Sequence, residues 1–200
     1  MKNHIFPINE IFISVQGEGL NFGKVALFIR FGKCNLHCNF CDTKYAWNNF
    51  KLFSEKKIIK ILEKNKNITS FLILTGGEPC LYDLTTLIKD AKKIGYTIAV
   101  ETNGTIYQKW LEDVDWITVS PKKEKIDQKI LRLANELKFV ILNKKSFKFV
   151  EKFMPFNPVI LQPIDNKKEI AELIIEMMKK SKYKYFLRLG VQLQKVYDLK

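Results

Sequence analysis

Short apolar runs alternate with amphipathic segments along the chain. The apolar runs have the length of buried strands, and the segments between them repeat their apolar residues with the period of a helix. The predicted strands cover residues 25–31, 71–74, 96–100, 116–119, 139–142 and 159–161. The predicted helices cover residues 54–65, 83–94, 127–137 and 167–180, with Ser54 as a candidate N-cap. This alternation indicates βα units and a mainly parallel sheet with right-handed crossovers.

The number of strands predicts the architecture. About six parallel strands are too few to close an eight-stranded barrel. We therefore predict an α/β fold of the incomplete TIM-barrel type, in which the sheet stays open. The length of 200 residues and the lack of a linker-like segment predict a single domain over residues 1–200.

Polar or glycine-containing clusters follow the predicted strands. They occupy residues 34–41, 76–79, 101–104, 120–122 and 162–165. Because ligands bind at the carboxyl ends of parallel strands, we expect these clusters to meet at one edge of the sheet and to form one site.

The first of these clusters contains three cysteines, Cys34, Cys38 and Cys41, in the spacing C-x3-C-x2-C. Three thiolates in one loop can hold a metal centre, whereas iron–sulfur clusters ordinarily take four. A missing ligand leaves an open coordination position, which distinguishes catalytic from structural centres. The alternative is a zinc site completed by His37 or Cys80. Zinc fingers usually combine two close ligands with two distant ones, a pattern that this chain lacks.

The net charge of +13 raises the possibility of a surface for nucleic acid or another anion. The only arginines are Arg30, Arg132 and Arg188, and the lysines are scattered. Specific nucleic-acid readers favour arginine for bidentate contacts. We therefore attribute the charge to a lysine-rich composition and expect no nucleic-acid partner.

The sequence contains no run of about 18 apolar residues, and its first residues lack the apolar core of a signal peptide. The clustered cysteines fit a reduced compartment better than a disulfide framework. We therefore expect a cytoplasmic protein without membrane contact.

The cysteine spacing, with Phe40 between the second and third cysteines, resembles that of the radical S-adenosylmethionine (SAM) enzymes. The later run Gly76-Gly77-Glu78-Pro79 resembles the GGEP motif of that superfamily. The resemblance implies a 4Fe-4S cluster held by the three cysteines, with SAM bound to the fourth iron. Reductive cleavage of SAM then gives a 5′-deoxyadenosyl radical that abstracts a hydrogen atom from the substrate.

Further runs resemble one family of that superfamily, the 7-carboxy-7-deazaguanine synthases. They are QGEG at 16–19, CDT at 41–43, TGGEP at 75–79, ETNGT at 101–105, SPK at 120–122 and QP at 162–163, in the order of the family. The resemblance implies a carbon–nitrogen lyase of queuosine and 7-deazapurine biosynthesis. Such an enzyme converts 6-carboxy-5,6,7,8-tetrahydropterin to 7-carboxy-7-deazaguanine with loss of ammonia. It also implies a magnesium requirement, an electron donor such as flavodoxin, and a homodimer.

The same resemblance assigns the site residues. The pterin pocket is implied for Val15, Gln16, Gly17, Glu18, Arg30 and Thr75. The SAM site is implied for Phe40, Cys41, Asp42, Gly77, Glu78, Ser120, Pro121, Lys122, Gln162, Pro163, Ile164 and Asp165. Thr43 corresponds to the magnesium ligand of the family. Glu101 and Asn103 are expected at the same edge, with a less definite role.

The residue types of Glu18 and Arg30 suit this substrate. A carboxylate accepts two N–H bonds from a guanidine-like pterin edge, and a guanidinium binds a carboxylate as a fork. The alternative for Glu18 is a residue of a surface turn, because glycines flank it.

One departure from the family lies near the C-terminus. The family usually reads Gln-x-His-Lys, where this chain reads Gln192-Leu193-Gln194-Lys195. Glutamine donates and accepts hydrogen bonds but takes up no proton at neutral pH. Two other functions remain open at this point: another small radical SAM enzyme such as a glycyl-radical activase, and a basic zinc-containing nucleic-acid-binding protein.

Overall fold

A computed structural model of the protein describes residues 4–123, 125–156 and 158–199. The strands are β1 (Ile5–Val15), β2 (Val25–Phe31), β3 (Lys51–Ser54), β4 (Phe71–Gly76), β5 (Thr97–Thr102), β6 (Trp116–Val119), β7 (Glu136–Ile141), β8 (Val159–Pro163) and β9 (Leu187–Leu189). The helices are α1 (Glu55–Asn65), α2 (Thr85–Ile94), α3 (Gln128–Leu133), α4 (Lys145–Glu151), α5 (Lys168–Lys180) and α6 (Leu193–Val196). Within the described residues, no helix is long and apolar enough to cross a membrane.

The described strands form one sheet in the order β3-β1-β2-β4-β5-β6-β7-β8-β9. From β2 to β9, each neighbouring pair is parallel, whereas β1 runs antiparallel to both β2 and β3. Because β3 and β9 lie at opposite edges, the sheet does not close. The prediction of an open, mainly parallel α/β fold is confirmed.

All six predicted strands are present, but β1, β3 and β9 were not predicted. Two of these, β3 and β9, form the edges of the sheet, and they are only four and three residues long. Short exposed strands carry little of the hydrophobic pattern by which a strand is recognised. The predicted N-cap of α1 is confirmed, because Ser54 Oγ accepts a hydrogen bond of 3.3 Å from the amide of Lys57.

The predicted helix over residues 127–137 is wrong in its second half. The helix α3 ends at Leu133, and Glu136 already belongs to β7. Glu136 pairs with Thr118 of β6, and its Oε1 accepts a 2.8 Å hydrogen bond from the Thr118 hydroxyl. Pairing with β6 therefore overrides the local helical pattern, which demonstrates how tertiary contacts outweigh propensity.

The two faces of the sheet differ in polarity, and this difference positions the site. One face carries the main apolar core, in which Leu72, Leu74 and Phe139 are buried with side chains from α1, α2 and α5. The opposite face has a smaller apolar cluster of Ala26, Phe28, Ile73 and Ala99. Because side chains alternate along a strand, the residues two positions later on that face are Arg30, Thr75 and Glu101. Polar groups therefore gather at the carboxyl ends of the strands.

Replacing Leu72 by alanine should destabilise the protein, because its side chain is fully buried in the main core. We expect a loss of about 2–5 kcal/mol in the free energy of unfolding, as for other buried leucines. Urea unfolding of the reduced protein, followed by circular dichroism, measures it. The matched control is Leu52→Ala on the edge strand β3, where the leucine is 69% exposed. The control should change stability by less than about 0.5 kcal/mol; equal losses in both variants would contradict the described core.

Candidate active site

One cavity opens at the carboxyl ends of the parallel strands, and most of the predicted site residues line it. Those that do are Val15, Gln16, Gly17, Glu18, Arg30, Cys34, Cys38, Phe40, Cys41, Asp42, Thr43, Thr75, Gly77, Ser120, Lys122, Gln162, Ile164 and Asp165. The predicted residues that do not line it are Glu78, Pro121 and Pro163. The expectation of one shared site at this edge therefore agrees with the structure.

Three cysteines on one wall of the cavity are free thiols. Their loop is held by its own backbone, since the amide of Cys41 donates to the carbonyl of Cys38 at 3.1 Å. The amide of Leu36 donates to Cys34 Sγ at 3.4 Å. Burial is the main cause that raises the pKa of both Cys34 and Cys38, and the negative charge of neighbouring thiolates adds to it. A positively charged centre between the sulfurs would stabilise the thiolates that bind it.

The two residues proposed to complete a zinc site lie elsewhere. Cys80 is fully buried, with its Sγ 3.5 Å from the Thr102 hydroxyl. Burial raises the pKa of its thiol well above the ordinary value. His37 is exposed and packs edge-on against Trp47 at 4.7 Å between ring centroids. Among the residues that the structure describes, no three His, Cys, Asp or Glu side chains form a group that could hold a metal ion.

The donor set therefore fits a sulfide-bridged cluster better than a single ion. Each cysteine of such a cluster binds a different iron, so the three sulfurs need not converge on one point. The loop offers three thiols on one cavity wall and no fourth thiol near them. This leaves one position of a four-iron cluster open to a ligand from the cavity.

The glycines at the end of β4, Gly76 and Gly77, allow that segment to pack directly against the start of the cysteine loop. A Cβ atom on Gly77 would lie 1.7 Å from the carbonyl oxygen of Lys33, which is backbone that yields little. The Gly77 amide donates to the carbonyl of Phe31 at 2.9 Å. The Glu78 amide donates to the carbonyl of Lys33, also at 2.9 Å. Only glycine permits this approach at position 77.

The carboxylate of Glu78 is used inside the protein and does not face the cavity. It accepts hydrogen bonds from the Cys80 amide at 3.0 Å, the Thr102 hydroxyl at 2.8 Å and the Asn103 amide at 2.7 Å. Complete burial raises the pKa of Glu78 despite these donors. The side chain predicted to touch SAM instead joins the ends of β4 and β5.

The Glu18 carboxylate lies in a buried ion pair with Lys138 of β7, and their side chains are 12% and 11% exposed. Its Oε1 also accepts hydrogen bonds from the side-chain amides of Gln192 at 2.9 Å and Gln194 at 2.8 Å. Burial alone would raise the pKa of Glu18. The charge of Lys138 and the three donors outweigh burial and lower that pKa to about 2. Glu18 is therefore not a residue of an exposed turn.

The sequence patterns do not predict Lys138 as a residue of the site. The predicted helix ended at residue 137 and the next predicted strand began at 139, so Lys138 fell between them. In the structure Lys138 lies inside β7, with Leu137 and Phe139 pointing to the opposite, apolar face. A lysine within a buried strand is the signal that was available, since an unpaired charge there is costly.

A second carboxylate organises the floor of the cavity. Glu101 accepts hydrogen bonds from the Gln16 amide at 2.9 Å and from the Thr75 hydroxyl at 2.8 Å. Arg30, beside Thr75 in the sheet, donates from Nε to Glu10 at 2.8 Å. The guanidinium therefore has one edge held by Glu10.

The wall formed by the ends of β6 and β8 carries a cation and several amides. Lys122 Nζ donates to Ser120 Oγ at 2.7 Å and lies 5.7 Å from the centre of the Phe40 ring. Burial is the main cause that lowers the pKa of Lys122, and the charge of Lys138 adds to it. Within β8, the side-chain amide of Gln162 donates to Oδ1 of Asn166, which follows the strand, at 3.2 Å.

The C-terminal segment also lines the cavity, through Gln192, Gln194 and Lys195, of which the departure from the family motif singles out only Gln194. Gln192 Nε2 donates to Asp42 Oδ2 at 3.1 Å as well as to Glu18. Lys195 Nζ donates to Asp165 Oδ1 at 2.7 Å. This segment therefore connects the cysteine loop, the Glu18 turn and the segment after β8, which no local pattern indicates.

Comparisons with known proteins identify the relatives of this chain. The profile of the Radical SAM superfamily matches residues 28–142. The 7-carboxy-7-deazaguanine synthase of Buchnera aphidicola is 35% identical over 86% of this chain and 90% of that relative. The enzyme of the same name from Aquifex aeolicus is 35% identical over 98% and 95%. The crystal structure of QueE from Escherichia coli superimposes with a TM-score of 0.81 and 26% identity, over 94% of each chain.

Replacing Glu18 by glutamine should destabilise the protein at neutral pH, because Lys138 would be left as a buried, unpaired charge. We expect a loss of about 3–5 kcal/mol in the free energy of unfolding. The pKa of Glu18 is about 2 in the folded protein and near 4.5 in the unfolded chain. The ionised carboxylate therefore contributes its whole stabilising free energy above about pH 4.5 and loses it as the pH falls towards 2. The difference between wild type and variant should therefore shrink as the pH falls from 4.5 towards 2.

Urea unfolding at a series of pH values measures this difference. The control is Glu172→Gln, which removes an exposed ion pair with Lys168 on α5. Its effect should stay below about 1 kcal/mol. A difference for Glu18→Gln that stays constant from pH 7 to pH 3 would contradict the ion pair.

Proposed function

The chain belongs to the radical SAM superfamily and, within it, to the 7-carboxy-7-deazaguanine synthases, and we propose that it converts 6-carboxy-5,6,7,8-tetrahydropterin to 7-carboxy-7-deazaguanine with release of ammonia. The reaction is a step in the biosynthesis of queuosine and other 7-deazapurines. The observation that carries the proposal is one cavity that holds three free thiols on one wall and the Glu18–Lys138 pair on another. The relatives favour neither a glycyl-radical activase nor a zinc protein.

In this proposal Cys34, Cys38 and Cys41 ligate three irons of a 4Fe-4S cluster. Cys80 is too deeply buried to serve as the fourth ligand, so the fourth iron is available to SAM. The cluster and SAM together supply the one-electron chemistry that removes a hydrogen atom from the substrate. The protein contributes binding, orientation and exclusion of water.

The SAM site is proposed along the wall that continues from the cysteines: Phe40, Cys41, Asp42, Gly77, Ser120, Lys122, Gln162, Ile164 and Asp165. Gly77 would hold the start of the cysteine loop beside this wall, because its lack of a side chain lets it pack directly against the Lys33 backbone. We propose indirect roles for Glu78, Pro121 and Pro163, which hold the segments that carry these residues. The Glu78 carboxylate already has three donors within the protein.

The substrate site is proposed at the part of the cavity formed by Val15, Gln16, Gly17, Glu18, Arg30 and Thr75. Arg30 is held at Nε by Glu10, so the terminal nitrogens of its guanidinium are the edge offered to the carboxylate of the pterin as a fork. The acceptors of Glu18 suit the N–H groups of the pterin ring. Glu101 orients Gln16 and Thr75 at the floor between them.

Magnesium binding is proposed at Thr43, which lines the cavity beside Asp42 and whose hydroxyl lies 3.5 Å from Cys41 Sγ. Magnesium prefers oxygen ligands and keeps bound waters, so one hydroxyl with substrate oxygens is a reasonable site. We also propose a homodimer in the cytoplasm that receives electrons from a small redox protein such as flavodoxin. No nucleic-acid role is proposed for the positive charge.

The proposed reaction is tested by anaerobic turnover of the tetrahydropterin with SAM, a reductant and magnesium. We expect wild type to form 7-carboxy-7-deazaguanine. Cys38→Ala should lose the visible absorption of the cluster and all turnover, because the thiolate ligand is gone. The matched control, Cys80→Ala, removes a thiol outside the cavity and should keep both. SAM cleavage without product in wild type, or a full cluster in Cys38→Ala, would refute the assignments.

The role of Thr43 is tested separately through the magnesium dependence of turnover. Thr43→Ala removes the hydroxyl ligand and should raise the magnesium concentration for half-maximal rate by about tenfold, as for the loss of one hydrogen bond or ligand contact. Thr43→Ser keeps the hydroxyl and should behave like wild type. An unchanged magnesium dependence in Thr43→Ala argues that the ion binds elsewhere.

A further inference from the structure

Lys138 is the charged residue of the cavity for which neither the sequence motifs nor the proposed reaction has a role. It lies inside β7 with its side chain 11% exposed, and its ammonium contacts Glu18 Oε2. Burial lowers the pKa of Lys138, but the charges of Glu18, Glu101 and Asp42 and the hydrogen bond to Glu18 together outweigh burial and raise the pKa overall. The pair is therefore a carboxylate and an ammonium that compensate each other on the inner face of the sheet.

The Glu18 carboxylate fixes the orientation of two amide groups. An ionised carboxylate only accepts hydrogen bonds, so the groups that face it must be NH2 groups. The NH2 groups of Gln192 and Gln194 both donate to Glu18 Oε1, at 2.9 and 2.8 Å. The amide oxygen of Gln194 must then point away from Glu18. Three donors already occupy most of the acceptor positions of the carboxylate.

The Gln194 amide oxygen is buried and has no hydrogen-bond partner. It lies against Gly17, where a Cβ atom would be only 2.0 Å away. The amide of Leu193 also donates to the Gly17 carbonyl at 3.0 Å, which holds the two segments together. Both Gly17 and Gln194 line the cavity. A buried acceptor without a donor is unfavourable, so a ligand N–H beside it would be stabilising.

We propose that Lys138 is a positioning residue of the substrate site. By holding Glu18 in place as a carboxylate, it turns the NH2 group of Gln194 inward and presents the amide oxygen of Gln194 as an acceptor for an N–H group of the substrate. The proposal rests on the proposed function for the identity of that substrate, a bicyclic ring with N–H groups along one edge. Glu18 and Gln194 then accept hydrogen bonds from two neighbouring N–H groups of the substrate. A histidine at position 194 would instead change its charge near neutral pH.

Other charged groups surround the pair and remain in place when Lys138 alone is changed. They are Glu101 on β5, Lys122 after β6, Glu136 on β7 and Asp42 in the cysteine loop. A difference in substrate affinity between variants at position 138 therefore reports the effect of the charge at that position. Without Lys138, burial would raise the pKa of Glu18, and the carboxyl group would take up a proton as the pH falls.

The experiment is the equilibrium affinity for the tetrahydropterin, measured by calorimetry from pH 6 to pH 8.5 on enzyme that carries its cluster and SAM. Wild type should show a level affinity. Lys138→Met should bind about tenfold or more weakly at pH 6 and recover as the pH rises, because a buried partner has been removed. Lys138→Arg keeps the charge and should stay level. Gln194→Leu removes the acceptor together with one of the donors to Glu18. It should lose about tenfold at every pH, because Lys138 still holds Glu18 as a carboxylate.

Equal affinity of wild type and Lys138→Met at every pH overturns the positioning role, and so does an unchanged affinity of Gln194→Leu. If Lys138→Met does not fold, Lys138→Arg and Gln194→Leu still decide, since a pH-dependent affinity in Lys138→Arg overturns the proposal. Turnover of wild type is measured in parallel. Binding with this pH pattern but without product would refute the proposed reaction alone.

Discussion

The buried carboxylate of Glu78 is the interaction on which the arrangement of the site depends. It accepts the backbone amides of Cys80 and Asn103 and the hydroxyl of Thr102, while its own amide is bound by the Lys33 carbonyl. The ends of β2, β4 and β5 are thereby held together at the start of the cysteine loop. If the Glu78 carboxylate bound a ligand instead, the amides of Cys80 and Asn103 and the hydroxyl of Thr102 would lose their acceptor.

Charged groups on the inner face of the sheet also have their partners within the protein. Two ion pairs lie there, Arg30 with Glu10 and Glu18 with Lys138, and Glu101 is bound by the neutral side chains of Gln16 and Thr75. Charges buried in this way are tolerated only when they are paired and hydrogen-bonded. The pairing also limits what each group can offer to a ligand. The acceptor positions of Glu18 and Glu78 are already largely occupied by donors of the protein. Backbone groups and the unoccupied edges of side chains such as Arg30 therefore contribute more to ligand binding.

The fold was largely predictable because parallel strands buried on both faces are continuous apolar runs. The errors occurred where tertiary pairing decides the outcome. Residues 134–137 continue a helical pattern, yet Glu136 bonds to Thr118 and starts β7. That single boundary error concealed Lys138. The edge strands β3 and β9 were missed because short exposed strands have weak patterns.

By itself, the sequence determined the open α/β architecture, the three-thiol loop and the family, because periodicity and motif spacing are local and survive without knowledge of contacts. Only the tertiary structure decided which groups face one another. Glu18 meets Lys138 and Gln192 across 120 and 174 residues of chain, and Glu78 turns away from the cavity that its motif lines. Such pairings depend on strand order and burial, because a buried charge is tolerated only where the fold brings an opposite charge or hydrogen bonds to it.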